Sequence, residues 1–176
     1  MRRLTDPERL QAFMEGLARA ARRPSRVYFT GGATALLFGW RSSTVDVDIA
    51  LGEESDDLLR AIPALKEGLE INVELASPSD FIPELPGWRE RSPFIERIGK
   101  LDFYHYDLYA QALSKIERGH ELDVSDVQEM LARGLVDPDT LFQLFARIEP
   151  ELFRFPAIDP KSFRRRVEEL APRPQS

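Results

Sequence analysis

The sequence predicts an α+β (α/β) fold in which a mixed β-sheet is flanked by helices and followed by a C-terminal helical segment. Three observations support this prediction. Short alternating strands and helical stretches succeed one another up to Tyr106, and apolar residues recur at helical spacing from Asp107 onward. The apolar fraction of 43% and the charged fraction of 31% are typical of a globular protein. We therefore expect a core of residues 1–106 and a helical part of residues 107–176 packed on it.

The first helix is predicted to begin at Thr5, which fits a capping box with Glu8, and to end at Pro24. Basic residues gather around the end of this helix: Arg19, Arg22, Arg23 and Arg26. Most such clusters are solvated helix faces. This one is expected to lie next to the turn that follows the first strand, where it would meet a polyanionic acceptor.

A strand over residues 27–29 leads into a double-glycine turn, Gly31 and Gly32, and then into a short helix over residues 33–38 that stops at Gly39. Glycine permits close backbone approach and positive φ angles. The N–H groups at the start of the helix favour an anion. The turn is therefore a predicted phosphate-binding element.

The next strand carries two carboxylates on one face. Its aliphatic residues, Val45, Val47, Ile49 and Leu51, alternate with polar ones and are expected in the core. Asp46 and Asp48, about 7 Å apart along the strand, share the opposite face and suit a hard cation such as Mg²⁺ or Mn²⁺. Hydrogen-bond donors that suit a triphosphate precede them: Arg41, Ser43 and Thr44. The alternative is a plain turn followed by the solvated face of an edge strand.

Together, the glycine pair, the short helix, the Arg/Ser/Thr turn and the Asp-x-Asp strand resemble the signature of the DNA polymerase beta-like nucleotidyltransferase superfamily. The closest likeness is to its small bacterial members, some of which are toxins of toxin–antitoxin pairs. The resemblance implies a metal-dependent enzyme that moves an NMP group from an NTP to a hydroxyl of an RNA end, a protein side chain or a small molecule. For a toxin it also implies an antitoxin partner.

Two alternatives to this enzyme remain open. One is a catalytically silent member that binds a nucleotide or a protein partner. The other is an unrelated α/β interaction domain.

The resemblance also implies a third carboxylate on a neighbouring strand. Residues 71–75 alternate as a strand in which Asn72 and Glu74 face away from the apolar set. Glu74 is the candidate third ligand and Asp80 is the second choice, whereas an ordinary exposed strand residue is the alternative for Glu74.

The resemblance also implies a lysine in the second half of the chain that contacts the nucleotide phosphates. It implies an aspartate nearby that orients this lysine or the base. Lys115 matches this lysine, and Asp123 and Asp126 are the candidate aspartates. Acids at the start of a helix are also ordinary capping residues, and the helix is predicted to start at Asp123.

The remaining element boundaries are predicted from proline, glycine and helix-capping residues. Pro63 is expected to kink or split the helix that follows the Asp-x-Asp strand. Gly99 begins a two-residue hairpin turn between strands. Asp107 is predicted to cap a helix that stops at Gly119.

Composition excludes several classes of function. The chain has no cysteine, which rules out disulfides and thiolate metal sites and favours a reducing cytoplasm. A net charge of −6 argues against duplex DNA binding. No apolar run approaches the roughly 20 residues of a membrane span, and the first residues lack the apolar stretch of a secretory signal. We expect a cytoplasmic protein.

Overall fold

The computed structural model describes residues 3–53 and 55–173. The chain forms two compact units. The first consists of Met1–Ser77 and Ser92–Tyr106, and the second of Pro78–Arg91 and Asp107–Ser176. The segment between the third and fourth strands therefore belongs to the second unit. None of the helices within the described ranges has the length and apolar character that crossing a membrane requires.

The first unit is built on a mixed five-stranded sheet. In chain order its elements are α1 (Pro7–Ala20), β1 (Ser25–Thr30), α2 (Gly32–Phe38), β2 (Asp46–Leu51), α3 (Asp56–Leu69), β3 (Asn72–Leu75), β4 (Phe94–Ile98) and β5 (Leu101–His105). The strand order is β3-β2-β1-β5-β4. Strand β1 is antiparallel to β2 and parallel to β5, β2 is parallel to β3, and β4 is antiparallel to β5. The predicted fold class is confirmed.

One face of this sheet forms the core of the first unit. Alternate residues of the central strands, among them Val27 and Phe29 of β1 and Val47 and Ile49 of β2, are buried together with the apolar stripes of α1 and α3. Because side chains alternate along a strand, Asp46 and Asp48 lie on the opposite face. Val45, which was expected in the core, is 66% exposed because β2 begins only at Asp46.

The first helix is capped by Asp6 and not by Thr5. The Asp6 carboxylate accepts a hydrogen bond from the Arg9 N–H at 2.8 Å. Thr5 instead exchanges two backbone hydrogen bonds with Thr44, of 2.8 and 2.9 Å. The predicted capping box with Glu8 is therefore wrong, because the Thr5 backbone is engaged in a non-local bridge. That bridge ties the residues before α1 to the turn before β2.

Pro63 neither kinks nor splits its helix, since α3 continues from Asp56 to Leu69 with the proline inside it. The missing N–H would have bonded to the carbonyl of Leu59, and both residues are exposed. Water is therefore available to that carbonyl, which lowers the cost of the proline. The predicted stop of α2 is confirmed, because Gly39 has a left-handed φ of 94°.

The second unit is helical. Its elements are α4 (Trp88–Arg91), α5 (Leu108–Arg118), α6 (Glu121–Ala132), α7 (Pro138–Ile148) and α8 (Pro160–Leu170), with 3₁₀ turns at Pro78–Asp80 and Glu149–Arg154. Asp107 caps α5 by accepting from the Tyr109 N–H at 3.2 Å, and Gly119 ends it in the left-handed conformation, as predicted. Helix α6 begins at Glu121, two residues before the predicted start, with His120 at the capping position.

The bridge between Thr5 and Thr44 leaves one hydroxyl without a partner. Thr5 is fully buried, and its Oγ1 makes no hydrogen bond within residues 3–53 and 55–173. We expect Thr5→Val to leave the free energy of unfolding unchanged or to raise it by up to about 1 kcal/mol, because the isostere removes an unsatisfied polar group. Urea denaturation measures this change.

Thr34→Val is the matched control for this prediction. The buried Thr34 hydroxyl donates to the carbonyl of Phe29 at 3.3 Å. Its loss should cost about 1–3 kcal/mol. A loss of similar size in Thr5→Val would contradict the assignment of an unsatisfied hydroxyl.

Candidate functional site

The candidate carboxylates lie on the polar face of two neighbouring strands. In the register of β2 and β3, Asp46 stands opposite Asn72 and Asp48 stands opposite Glu74. Opposed residues of paired strands share a face. The Asn72 amide nitrogen donates to Asp46 Oδ1 and, at 3.3 Å, to Glu74 Oε1. Asn72 therefore orients two of the three acids, a role that the strand alternation alone did not reveal.

The glycine turn lies close to one of these acids. Gly31 has a φ of +63°, and a Cβ atom at this position would lie 2.8 Å from Asp48 Oδ2. A side chain at residue 31 would therefore be strained by the backbone conformation and would force the Asp48 carboxylate to move. This packing places the backbone of the turn against the carboxylate that the sequence assigned to a cation.

Gly32 is required for a different contact. A Cβ atom there would lie 1.9 Å from Thr44 Oγ1 and 3.4 Å from Arg41 Nη1. The Thr44 hydroxyl donates to the carbonyl of Asp46 at 3.0 Å, so it fixes the turn before β2. The half-buried Ser43 lies between Arg41 and Thr44 in the chain.

The first unit therefore assembles most of the predicted site on one face and one turn. The residues concerned are Gly31, Gly32, Arg41, Ser43, Thr44, Asp46, Asp48 and Glu74. The arginine cluster is not part of this assembly. Arg22 and Arg23 precede β1 whereas Gly31 follows it, which places them about 20 Å apart along the strand. The expectation that the cluster lies next to the glycine turn is wrong.

The donor set suits a magnesium ion held jointly with a substrate. Among the described residues, no group of three or more acidic or histidine side chains is arranged to hold a metal ion. Mg²⁺ is typically held by one or two carboxylates together with phosphate oxygens and water. Asp46 and Asp48 meet that requirement in number and chemistry, whereas the residues that the structure describes form no cage of three carboxylates.

A buried histidine packs against α2, the helix that follows the glycine turn. The His105 ring nitrogen Nδ1 lies 3.1 Å from the Oγ1 atom of Thr34, in the first turn of α2. Its ring stacks on Phe38 with 4.3 Å between centroids. Burial lowers the pKa of His105 from 6.5 to about 4, so the ring is neutral at neutral pH. Sequence reasoning missed this residue because it lies within a strand without any motif.

The candidate residues of the second unit form a buried ionic cluster. Lys115 Nζ lies 2.7 Å from Asp126 Oδ2 and 3.8 Å from Asp123 Oδ1. Arg118 donates two hydrogen bonds to Asp123, of 2.8 and 2.6 Å. Burial tends to raise the pKa of Asp123, but the Arg118 guanidinium and the Lys115 ammonium together hold it below its usual value. Lys115, Asp123 and Asp126 thus come together, and the Lys115 charge is compensated within the unit.

The fold and the turn-and-strand site define a nucleotidyltransferase-like α+β protein. A family model described as a nucleotidyltransferase of unknown function (DUF6036) matches residues 8–155. The match covers most of the chain, and the chain belongs to this family. Comparisons with curated proteins and with solved structures return no match.

The contact between Gly32 and Thr44 predicts a large effect of a single methyl group. Gly32→Ala should lower the free energy of unfolding by about 1–3 kcal/mol, because the added Cβ overlaps a side chain held by two neighbouring segments. Thermal or urea denaturation measures the loss.

Gly68→Ala is the control for this variant, since Gly68 is exposed within α3 and nothing lies within 4 Å of its added Cβ. It should stabilise the protein by about 0.5–1 kcal/mol. Equal effects of the two substitutions would show that the close approach at Gly32 is absent in solution.

The depressed pKa of His105 predicts a pH dependence of stability. The unfolded state binds a proton near pH 6.5 and the folded state only near pH 4. The stabilising contribution of the neutral ring is therefore complete above pH 6.5 and declines as the pH falls towards 4, by about 3 kcal/mol in total. His105→Gln keeps a partner for Thr34 and does not titrate.

The free energies of unfolding of wild type and His105→Gln, measured between pH 4 and 7, isolate this contribution. As the pH falls from 7 to 4, the free energy of unfolding of the wild type should decrease relative to that of His105→Gln. Parallel curves would refute the assignment.

Proposed function

We propose that the protein is a metal-dependent nucleotidyltransferase that transfers an NMP group from an NTP to an acceptor hydroxyl. The observation that carries this proposal is the close approach of the Asp48 carboxylate to Gly31, where an added Cβ atom would lie 2.8 Å from Asp48 Oδ2. It brings an element suited to phosphates and a pair of acids suited to a cation into one place. Membership of a nucleotidyltransferase family supports an NTP as the substrate.

The turn would bind the triphosphate. Since Asp48 and Thr44 fill the space beside Gly31 and Gly32, the phosphate oxygens would be met by the backbone N–H groups of the turn. Arg41 would add a cation beside the same turn. Ser43 is the better candidate for a hydroxyl donor, because the Thr44 hydroxyl already donates to the Asp46 carbonyl.

Asp46 and Asp48 would hold Mg²⁺ or Mn²⁺. Such a cation, when bound, neutralises charge on the phosphoryl oxygens. Asn72 would keep the Asp46 carboxylate oriented by its hydrogen bond. Glu74, which is exposed on β3 opposite Asp48, would accept the proton of the acceptor hydroxyl.

The reaction exchanges one phosphoester bond for another. The acceptor oxygen forms a bond to the α-phosphorus, and the bond from that phosphorus to the oxygen bridging the α- and β-phosphates breaks. Pyrophosphate leaves with the bonding electron pair, and the acceptor's proton passes to a carboxylate, for which Glu74 is the candidate. Positioning and charge stabilisation supply most of the catalysis in such transfers.

In the second unit, the resemblance assigns Lys115 to the phosphates. Asp126 and Asp123 would then be positioning residues that hold its ammonium group. An RNA end, a protein side chain and a small molecule remain the candidate acceptors. The role of toxin in a toxin–antitoxin pair stays a prediction from the resemblance.

A second candidate function is a catalytically silent member that binds a nucleotide or a protein partner. The observation that favours it is the lack of a three-carboxylate group in the part of the chain that the structure describes. Under this alternative, the turn and the two aspartates bind an NTP with a cation but no transfer follows.

Transfer of α-labelled ATP, CTP, GTP and UTP onto total RNA and lysate protein, with Mg²⁺ or Mn²⁺, tests the proposal. We expect Asp46→Asn with Asp48→Asn to lower transfer at least about 100-fold, because the cation loses both protein ligands. The control removes two acids from exposed helix positions, Glu15→Gln with Glu67→Gln, and should retain full transfer.

Equal transfer by both double variants would refute the proposal. Metal-dependent NTP binding without transfer, lost in the aspartate variant, would support the silent alternative. The labelled species would identify the acceptor.

A further inference from the structure

One hydroxyl on the polar face of the sheet is left over by folding. Thr30 is the last residue of β1, and in the register of β1 and β2 it stands opposite Asp48. Because side chains alternate along a strand and Phe29 belongs to the core, Thr30 lies on the same face as Asp48. Across residues 3–53 and 55–173, the Thr30 hydroxyl forms no hydrogen bond. Its donor is therefore unused by the protein.

This hydroxyl is almost buried and yet reachable. Thr30 is only 9% exposed. Its Oγ1 atom is still open to solvent, because the hydroxyl that lacks a partner and is sealed from solvent, in the part of the chain that the structure describes, is that of Thr5. Little water competes for a group in such a position, and a hydrogen bond to a charged ligand atom is strong there. The Thr30 hydroxyl can therefore contribute to binding.

Thr30 belongs to a row of oxygen-bearing side chains that crosses three strands. Asp48 of β2 stands between Thr30 of β1 and Glu74 of β3. Opposed residues of an antiparallel pair have Cβ atoms about 4.5–5.5 Å apart, so Thr30 and Asp48 are direct neighbours. Ionised carboxylates can only accept hydrogen bonds, whereas a hydroxyl can also donate. The row thus offers two acids suited to a cation or a proton and one donor suited to an anion.

The same hydroxyl adjoins the glycine turn. Thr30 directly precedes Gly31, and a Cβ atom on Gly31 would lie 2.8 Å from Asp48 Oδ2. An anion that is bound by the backbone N–H groups of the turn and shares a cation with Asp48 would therefore be close to Thr30. In the proposed function, the triphosphate is that anion.

We propose that Thr30 Oγ1 donates a hydrogen bond to a non-bridging oxygen of the triphosphate whose cation is held by Asp46 and Asp48. This inference rests on the proposed function and adds a substrate-binding residue to it. Because the contact is made to phosphate and not to the nucleoside, inorganic tripolyphosphate makes it as well as an NTP does. Valine at this position keeps the shape of threonine without the donor, whereas serine keeps the donor.

Isothermal titration calorimetry in the presence of Mg²⁺ tests the proposal, with two ligands: inorganic tripolyphosphate, and whichever of ATP, CTP, GTP and UTP binds most tightly. Thr30→Val should weaken the binding of both about ten- to a hundredfold, as expected for a lost hydrogen bond to a charged group. Thr30→Ser should retain most of the affinity. Thr5→Val is the matched control and should bind both ligands like the wild type, because it loses a hydroxyl that is sealed from solvent.

Two further measurements distinguish a phosphate contact from other roles of the hydroxyl. Mn²⁺ binding without nucleotide, followed by electron paramagnetic resonance, should be equal in the wild type and in Thr30→Val. Weaker Mn²⁺ binding would assign the hydroxyl to the cation and overturn the inference. The thermal midpoint of unfolding should fall in Thr34→Val, which loses a bonded hydroxyl, but not in Thr30→Val. An equal fall in both would show that Thr30 acts through the fold and would also overturn the inference.

The transfer assay distinguishes a failure of this inference from a failure of the proposed function. NMP transfer that requires Asp46 and Asp48, together with unchanged NTP binding by Thr30→Val, would overturn this inference alone. Weaker binding of both ligands by Thr30→Val, without NMP transfer by the wild type, would leave this inference standing while the proposed function fails. Weaker binding of the NTP but not of tripolyphosphate would place the contact on the nucleoside and overturn the inference, as would the absence of binding by the wild type.

Discussion

The absence of a side chain at Gly31 and Gly32 is the constraint on which the candidate site depends. Asp48 and Thr44 occupy the space that two Cβ atoms would fill. A side chain at either position would force Asp48 or Thr44 to move, so this approach of the turn to strand β2 depends on the two glycines. Because Thr44 is also bridged to Thr5, the same contact links the segment before α1, the turn and the strand. The turn and the acids are therefore held by close packing of the glycines against the short side chains of Asp48 and Thr44.

The polar face of the sheet keeps its register because the other face is buried. Val47 and Ile49 are fully buried, and each contributes about 1.5–3 kcal/mol by burial. A shift of β2 by one residue would expose them and place Asp46 and Asp48 in the core, where an unpaired carboxylate costs far more. Two like charges on the polar face, where Asp46 and Asp48 are half-buried, cost less than two unpaired carboxylates in the core. The hydrophobic pattern thus determines where the acids stand.

Local sequence patterns predicted much of this arrangement. They could not predict pairing between residues that are distant in sequence. The alternation of β2 located Asp46 and Asp48, and capping chemistry located Asp107 correctly. The prediction for Thr5 was wrong because its partner, Thr44, is distant in sequence and a local capping box looked sufficient. The arginine cluster was misplaced because it precedes strand β1, whereas the glycine turn follows that strand. His105 gave no local signal, since its burial depends on the packing of α2.

The ionic cluster of the second unit bears on how the triphosphate is neutralised. Lys115 and Asp126 are almost fully buried, and removing one partner of such a pair typically costs about 3–5 kcal/mol. Because Asp126 compensates part of the lysine charge, Lys115 in its proposed role would neutralise a triphosphate only in part. The rest of that charge would be met in the first unit by Arg41, by the backbone N–H groups of the turn and by a cation on Asp46 and Asp48. The same two acids would repel the nucleotide without a cation, which is the physical reason to expect binding that requires a divalent metal.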